Sequence, residues 1–170
     1  EARRMDKFSQ YAMVVAEEAV NDSGLIEGRF NPDRVGVIWG SGIGGLETFQ
    51  DEAQVLLKAR EDNTGPKFNP FFIPKMIADI APGNISIKYG FRGPNYTTVS
   101  ACASSSHALI DAFTYIRLGK ADIIVTGGSE AAVNETGIGG FNACHALSTN
   151  NDNNFDKEKI TAKPMATIVA

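Results

Sequence analysis

The sequence has only two cysteines and two histidines in 170 residues. We interpret Cys102 and Cys144 as free thiols rather than as a disulfide framework, and their spacing from the histidines does not fit a structural zinc site. No apolar run approaches the roughly 20 residues that span a bilayer, and no secretory leader opens the chain. We therefore expect a cytoplasmic protein without a metal or a membrane partner.

Positive charge is also scarce, with 16 basic against 20 acidic residues and a net charge of −4. This balance argues against a nucleic-acid partner, so that an acidic protein partner would need a local basic patch. The other proportions, 43% hydrophobic and 21% charged, are ordinary for one soluble domain. Because the chain begins at Glu1 and a helical pattern follows at once, we interpret it as a fragment of a longer protein.

Apolar periodicity predicts helices and strands in alternation. The predicted helices cover 5–22, 46–60, 75–89 and a stretch that follows Ser106, and the predicted strands cover 34–39, 96–99 and 122–126. Residues 70–74 are predicted to be extended, and Gly137, Gly139 and Gly140 are predicted to form a flexible turn. Alternation of this kind favours an α/β fold, with helices on the faces of a mainly parallel sheet.

Cys102 lies where a predicted strand gives way to a predicted helix. Serines 104–106 are expected to cap that helix with their hydroxyl groups. Because the amino end of a helix favours an anion, the thiolate form of Cys102 would be stabilised there, and the thiolate is the nucleophilic form. The alternative is that Cys102 is a buried apolar residue without a chemical role.

A run of glycines follows the first predicted strand, Gly40-Ser41-Gly42-Ile43-Gly44-Gly45. It matches the spacing of a dinucleotide-binding turn, but the required second strand ending in an acidic residue is missing. The other interpretation is steric, because glycines let the backbone approach another element closely.

The remaining polar candidates receive structural interpretations. His107 lies five residues beyond Cys102 and would point to a different helix face, so we interpret it as a hydrogen-bonded, semi-buried histidine rather than a general base. Glu130 is interpreted as a loop or capping carboxylate rather than an acid catalyst.

Several segments together resemble one family. They are residues 6–8, 40–45, 69–72, 89–94, 100–104 (Ser-Ala-Cys-Ala-Ser), 126–130 (Thr-Gly-Gly-Ser-Glu), 139–141 and 146–148. Over residues 1–156 the chain resembles the β-ketoacyl-acyl carrier protein synthases, the elongating condensing enzymes of the thiolase superfamily. The resemblance implies a thiolase-like α/β fold, of which this chain is part of the N-terminal half, and residues 157–170 form a tail that departs from the family pattern.

The resemblance also implies roles for individual residues. Cys102 would be the nucleophile that accepts a growing acyl chain, and Ile43 and Phe141 would line the acyl pocket. The basic residues Arg3, Arg4 and Lys67 would meet an acidic acyl carrier protein, which is loaded with an acyl or a malonyl group.

The implied reaction is decarboxylative condensation in fatty acid elongation, by a homodimer without a cofactor. In the family two histidines from the C-terminal half assist this step. His107 and His145 do not stand at those positions, so the fragment is expected to carry the nucleophile but to be inactive alone.

Two alternatives stay open. A condensing-enzyme derivative could serve as a non-catalytic scaffold that binds acyl chains or the carrier protein. A thiolase, which shares the fold and the nucleophile but uses coenzyme A substrates, is the weaker alternative, because residues 40–45 and 139–141 are more similar to the carrier-protein branch.

Overall fold

The computed structural model describes residues 2–27 and 29–148. The helices are α1 (Lys7–Asp22), α2 (Leu46–Glu61), α3 (Phe72–Met76), α4 (Ile80–Tyr89), α5 (Ser104–Arg117) and α6 (Glu135–Ala143), and the strands are β1 (Val35–Gly40), β2 (Asn95–Thr98) and β3 (Ile123–Gly128). Short 3₁₀ turns cover Ala2–Arg4, Leu25–Glu27 and Pro32–Arg34. The predicted domain boundary at residue 156 and the tail 157–170 lie outside the described residues.

The three strands form one parallel sheet in the order β2-β1-β3. All six residues of β1 are buried, as expected for a central strand whose two faces are both covered. Val37 lies opposite Asn95 on one side and opposite Val125 on the other. The predicted parallel α/β arrangement is therefore confirmed.

Helices pack on both faces of this sheet. On one face, Val35, Val37 and Trp39 join the apolar sides of α1 and α4 in the larger core cluster. On the other face, Ile38 packs against Ala108 and Ala112 of α5. Alternate residues of β1 serve the two faces because successive side chains of a strand point in opposite directions.

Helix α1 begins where the side chain of Asp6 can cap it. The Asp6 carboxylate accepts a hydrogen bond from the backbone N–H of Phe8, and it also accepts bonds from the backbone N–H and the hydroxyl group of Thr48 in α2. Asp6 is buried, so these bonds replace the water that the carboxylate loses. The predicted helix over 5–22 is thus confirmed, with its first turn starting at Lys7.

The flexible turn predicted at Gly137, Gly139 and Gly140 is wrong, because these glycines lie within α6. Each glycine disfavours a helix by about 1 kcal/mol relative to alanine. Two side-chain contacts offset part of this cost, one local and one from a distant helix. The side chain of Asn134 caps the helix by accepting from the N–H of Gly137, and Gln50 of α2 accepts from the backbone N–H and the hydroxyl group of Thr136.

The extended segment predicted over 70–74 is also wrong, and the helix predicted over 75–89 is confirmed only over Ile80–Tyr89. Two separate helices, α3 and α4, occur there, divided by Ile77 in an extended conformation. Pro74 and Pro82 each lie in the first turn of their helix, where a proline lacks no hydrogen bond that the helix would make. None of the helices in the described part of the chain is long and apolar enough to cross a membrane.

Candidate active site at the carboxyl edge of the sheet

The three parallel strands end at the same edge of the sheet, at Gly40, Thr98 and Gly128. The glycine-rich loop 41–45 leaves β1, the turn that holds Cys102 leaves β2, and Glu130 follows β3. The N–H of Ser41 donates to the carbonyl of Thr98, and the N–H of Ser129 donates to the carbonyl of Gly40. The carboxyl edge of a parallel sheet is where α/β proteins place their ligands.

Cys102 lies exposed in a tight turn between β2 and α5. The residue before it, Ala101, has a φ of 52°, in the left-handed region that non-glycine residues rarely adopt. Such a conformation persists only where the surrounding structure holds it.

The hydroxyl group of Ser104 holds this turn. It donates to the carbonyl of Ala101 at 2.6 Å and accepts from the N–H of Ser100 at 2.9 Å. The hydroxyl group of Thr98 in turn donates to the carbonyl of Ser104 at 2.8 Å. The predicted capping by serines 104–106 is therefore wrong in detail. Helix α5 begins at Ser104 without a side-chain cap, and the Ser104 hydroxyl group reaches back into the turn instead.

Glycines at the strand ends let the amino end of α5 lie directly on the sheet. A Cβ atom built on Gly40 would overlap the backbone of Ser104 and Ser105, and one built on Gly128 would overlap the side chain of Ser105. The steric interpretation therefore holds for Gly40, the first glycine of the run. The close approach carries Cys102 to the sheet edge, two residues before the first residue of α5.

The two cysteines occupy opposite kinds of helix end. Cys102 precedes the amino end of α5, where the backbone N–H groups favour an anion. Cys144 follows the carboxyl end of α6, where the backbone carbonyls disfavour one, and its Sγ donates to the carbonyl of Phe141. Both thiols are exposed, so the two cysteines differ in the helix end that each adjoins rather than in exposure.

His107 is hydrogen-bonded, as expected, but it is exposed rather than semi-buried. Its Nδ1 lies 2.6 Å from the hydroxyl oxygen of Ser100, two residues before Cys102. This hydrogen bond stabilises the turn in addition to those of Ser104.

The carboxylate of Glu130 binds the glycine-rich loop. It accepts from the backbone N–H groups of Gly42 at 2.8 Å, Ile43 at 2.8 Å and Gly44 at 3.3 Å. The interpretation of Glu130 as a loop carboxylate is thus confirmed. The N–H groups that a dinucleotide phosphate would need are already occupied by an anion of the protein itself.

Burial of the carboxyl group raises the pKa of Glu130 above its ordinary value. The hydrogen bonds from Ile43, Gly42 and Gly44 act against this shift, because they favour the ionised form.

Ile43 lies beside an apolar groove of about 330 Å³. The groove is lined by Ile43, Gly45, Leu46, Phe49, Met76, Ile77 and Ala78. Phe141 is not among the residues that line it. The structure places Phe141 on α6, where it is 38% exposed.

The three basic residues all lie on the surface. Arg3 and Arg4 end the first 3₁₀ turn, and the Arg4 guanidinium lies 5.2 Å from the ring centre of Phe71. Arg3 lines a polar cavity of about 240 Å³ together with Lys75, a cation that the sequence patterns did not single out. Lys67 is exposed in the connection before α3.

No group of three or more His, Cys, Asp or Glu residues is placed to hold a metal ion within residues 2–27 and 29–148.

The parallel sheet and the cysteine turn at its edge define a chain of the thiolase-like α/β class, and solved structures agree. A β-ketoacyl synthase from Burkholderia phymatum superposes with a TM-score of 0.74 at 28% identity, covering 89% of this chain and 36% of that one. A chain from a complex of a type II PKS acyl-carrier protein with its ketosynthase superposes with a TM-score of 0.73 at 26% identity, covering 82% of this chain and 39% of that one.

The model of the N-terminal domain of β-ketoacyl synthases matches residues 1–160. The 3-oxoacyl-[acyl-carrier-protein] synthase 2 of Staphylococcus aureus is 47% identical over 153 residues, which cover 89% of this chain and 37% of the relative. The protein of the same name from Synechocystis is 40% identical over 165 residues, which cover 94% and 39%. The chain therefore belongs to the β-ketoacyl synthase family, and it spans a little over a third of the length of these curated relatives.

Proposed function

We propose that this chain carries the acyl-accepting nucleophile of a 3-oxoacyl-[acyl-carrier-protein] synthase, a cytoplasmic homodimer that elongates fatty acids by decarboxylative condensation. The main support for this proposal is the exposed thiol of Cys102 at the carboxyl edge of the sheet, just before the amino end of α5. The turn that contains Cys102 is held by the hydroxyl group of Ser104. We propose the domain to be residues 1–156.

The first chemical step is transfer of an acyl group to sulfur. The thiolate of Cys102 attacks the carbonyl carbon of an acyl thioester, a new carbon–sulfur bond forms, and the bond to the carrier thiol breaks. The leaving thiolate takes up the proton that Cys102 gave up. The positive end of α5 favours the attacking thiolate, and this part of the reaction needs no residue from outside the chain to supply the nucleophile.

The acyl chain is proposed to run along the apolar groove beside Ile43, with Phe141 forming another part of the pocket. The groove suits an alkyl chain because its lining is formed by aliphatic and aromatic side chains and by glycine and alanine.

The carrier protein is proposed to dock on Arg3, Arg4 and Lys67, which are exposed cations on an otherwise acidic chain. The similarity to a chain from a ketosynthase complex with an acyl-carrier protein supports a carrier protein as the partner. Complementary charge would speed the encounter and make it sensitive to salt.

The test is to incubate the chain with an acyl-carrier thioester, or with an electrophile of the cerulenin type, and to map the modified residue by mass spectrometry. We expect the acyl group on Cys102, no modification there in Cys102→Ala, and unchanged labelling in Cys144→Ser. An unmodified Cys102 beside a labelled Cys144 would refute the assignment. A non-catalytic scaffold would instead bind the carrier equally well in Cys102→Ala and form no thioester in either protein.

A further inference from the structure

The glycine-rich loop between β1 and α2 is bound on two sides. On one side the Glu130 carboxylate accepts from three successive backbone N–H groups, those of Gly42, Ile43 and Gly44. On the other side the N–H of Gly45 donates to the carbonyl of Met76 at 2.9 Å. The loop therefore joins a residue that follows β3 to the end of α3, two parts of the chain that are distant in sequence.

The loop lies too close to its neighbours for its glycines to carry side chains. Gly44 has a φ of 83°, and a Cβ atom there would lie 2.7 Å from the carbonyl oxygen of Met76. A Cβ atom on Gly45 would lie 2.6 Å from the carbonyl oxygen of Lys75. On the opposite side, Gly42 faces the carbonyl of Ala101, the residue before Cys102. A shift of the loop would consequently move both the groove and the surroundings of the nucleophile turn.

Ile43 is the one residue of this loop with a large side chain, and it is 44% exposed at the groove. Its backbone N–H makes one of the two shorter bonds to Glu130. The backbone of Ile43, from which its side chain projects into the groove wall, is thus held by a carboxylate that follows the neighbouring strand.

We propose that Glu130 is a positioning residue that fixes Ile43 in the wall of the apolar groove and thereby selects the length of the acyl chain. The inference rests on the proposed function, because it assumes that the groove holds an acyl chain. A carboxylate with three amide donors is suited to this role, since hydrogen bonds to an ionised group are stronger than those between neutral groups. The loop and the carboxylate depend on each other, because a partly buried carboxylate without these donors would be costly.

Two variants and one matched control test the role. Glu130→Gln removes the charge and keeps the size, and Glu130→Asp keeps the charge but withdraws it by about 1.5 Å, one carbon–carbon bond. Glu18→Gln removes the same charge from an exposed position on α1, away from the loop. Emission from the buried Trp39, the only tryptophan, verifies the native fold of each variant. If Glu130→Gln unfolds the chain, Glu130→Asp decides the question by the same measurements.

The first measurement is hydrogen exchange of the Gly42, Ile43 and Gly44 amides. We expect exchange to speed up by about tenfold or more in Glu130→Gln, because a tenfold change corresponds to about 1.4 kcal/mol, the order of one hydrogen bond to a charged group. Glu18→Gln should exchange as the unaltered chain does. Unchanged exchange in a folded Glu130 variant would overturn the proposal.

The second measurement is the ratio of loading rates at Cys102 for palmitoyl and hexanoyl thioesters. We expect the Glu130 variants to shift this ratio by about tenfold, the same free-energy change of about 1.4 kcal/mol, while Glu18→Gln leaves it unchanged. An unchanged ratio in a loaded Glu130 variant would refute the selection of chain length and leave the proposed function intact. If the unaltered chain accepts no acyl group at all, the proposed function fails, and with it the acyl role of Glu130, whatever the exchange data show for the loop.

Discussion

Replacing Gly40 by alanine tests whether the close approach of α5 to the sheet positions Cys102. The added methyl group would overlap the backbone of Ser104 and Ser105, which cannot rotate away as a flexible side chain would. Overpacking a core costs about 1–3 kcal/mol, and an overlap with backbone belongs at the upper end of that range. Replacing glycine by alanine stabilises by about 0.4–1 kcal/mol because it lowers the entropy of the unfolded chain. We therefore expect a net loss of about 2–2.6 kcal/mol in the free energy of unfolding.

Gly83 provides the matched control. It lies inside α4, and a Cβ atom built there would have nothing within 4 Å. Gly83→Ala should therefore stabilise the chain by about 0.5–1 kcal/mol, the usual gain for this change in a helix. At about 2–4 °C per kcal/mol for a chain of this size, Gly40→Ala should lower Tm by roughly 4–10 °C and Gly83→Ala should raise it by roughly 1–4 °C.

The assay combines thermal unfolding, followed by Trp39 fluorescence, with the rate of alkylation at Cys102. Cys144 serves as the internal reference, since it follows the carboxyl end of α6 and its Sγ bonds to the carbonyl of Phe141 rather than to the turn that holds Cys102. We expect Gly40→Ala to change the ratio of the two alkylation rates and Gly83→Ala to leave it unchanged. If Gly40→Ala has the same Tm as the unaltered chain and the same ratio of alkylation rates at Cys102 and Cys144, the close approach of α5 to the sheet does not position Cys102.

Three further predictions follow from the described contacts. Asp6→Ala should lower the free energy of unfolding, measured in urea titrations, by about 2–4 kcal/mol. The change removes the α1 cap and leaves two buried donors of Thr48 without an acceptor. A loss under about 1 kcal/mol, the cost of a cap alone, would contradict this. The hydrogen bond from Arg34 lowers the pKa of Asp122. This pair should therefore stabilise the fold fully at pH values above the ordinary aspartate pKa and lose its effect as the pH falls through the lowered pKa. This pH dependence of stability should vanish in Asp122→Asn. Ile110 and Phe113 on α5 are 59% and 66% exposed, so the chain should self-associate at micromolar concentration in sedimentation, and Phe113→Glu should weaken the association; monodisperse monomers of the unaltered chain would refute this.

The sequence predicts those parts of the fold that depend on local patterns. The apolar run of β1 and the three- and four-residue spacing of α1 identify these elements to within two residues, because burial of one strand or one helix face leaves a periodic trace. The position of Cys102 at a strand-to-helix turn is predictable for the same reason. The glycines of α6 hide this helix from a propensity pattern, since the Asn134 cap is its one local signal and the contact from Gln50 is distant in sequence.

The hydrogen bonds that hold the Cys102 turn and the glycine-rich loop could not be predicted from the sequence. The hydrogen bond from the Ser104 hydroxyl group to the carbonyl of Ala101 depends on the left-handed backbone conformation of Ala101. No local sequence pattern predicts that conformation for an alanine. The bonds from the glycine-rich loop to Glu130 join residues 86 to 88 positions apart. These bonds form only when β1 and β3 pair. The one sign of them in the sequence is an acidic residue, Glu130, that soon follows the predicted strand β3.

The order of strands has a consequence for synthesis of the chain on the ribosome. Of the three strands that the structure describes, the central strand β1 is made first and its two neighbours follow much later, since Val37 pairs with Asn95 and Val125. At about 5–20 residues per second, β1 waits roughly 3–12 s for β2 and longer for β3. During that interval a fully apolar strand has two unpaired edges, and nascent chains on one polysome are close enough to join them. We therefore expect a chaperone that binds this segment before β2 emerges to raise the yield of folded protein.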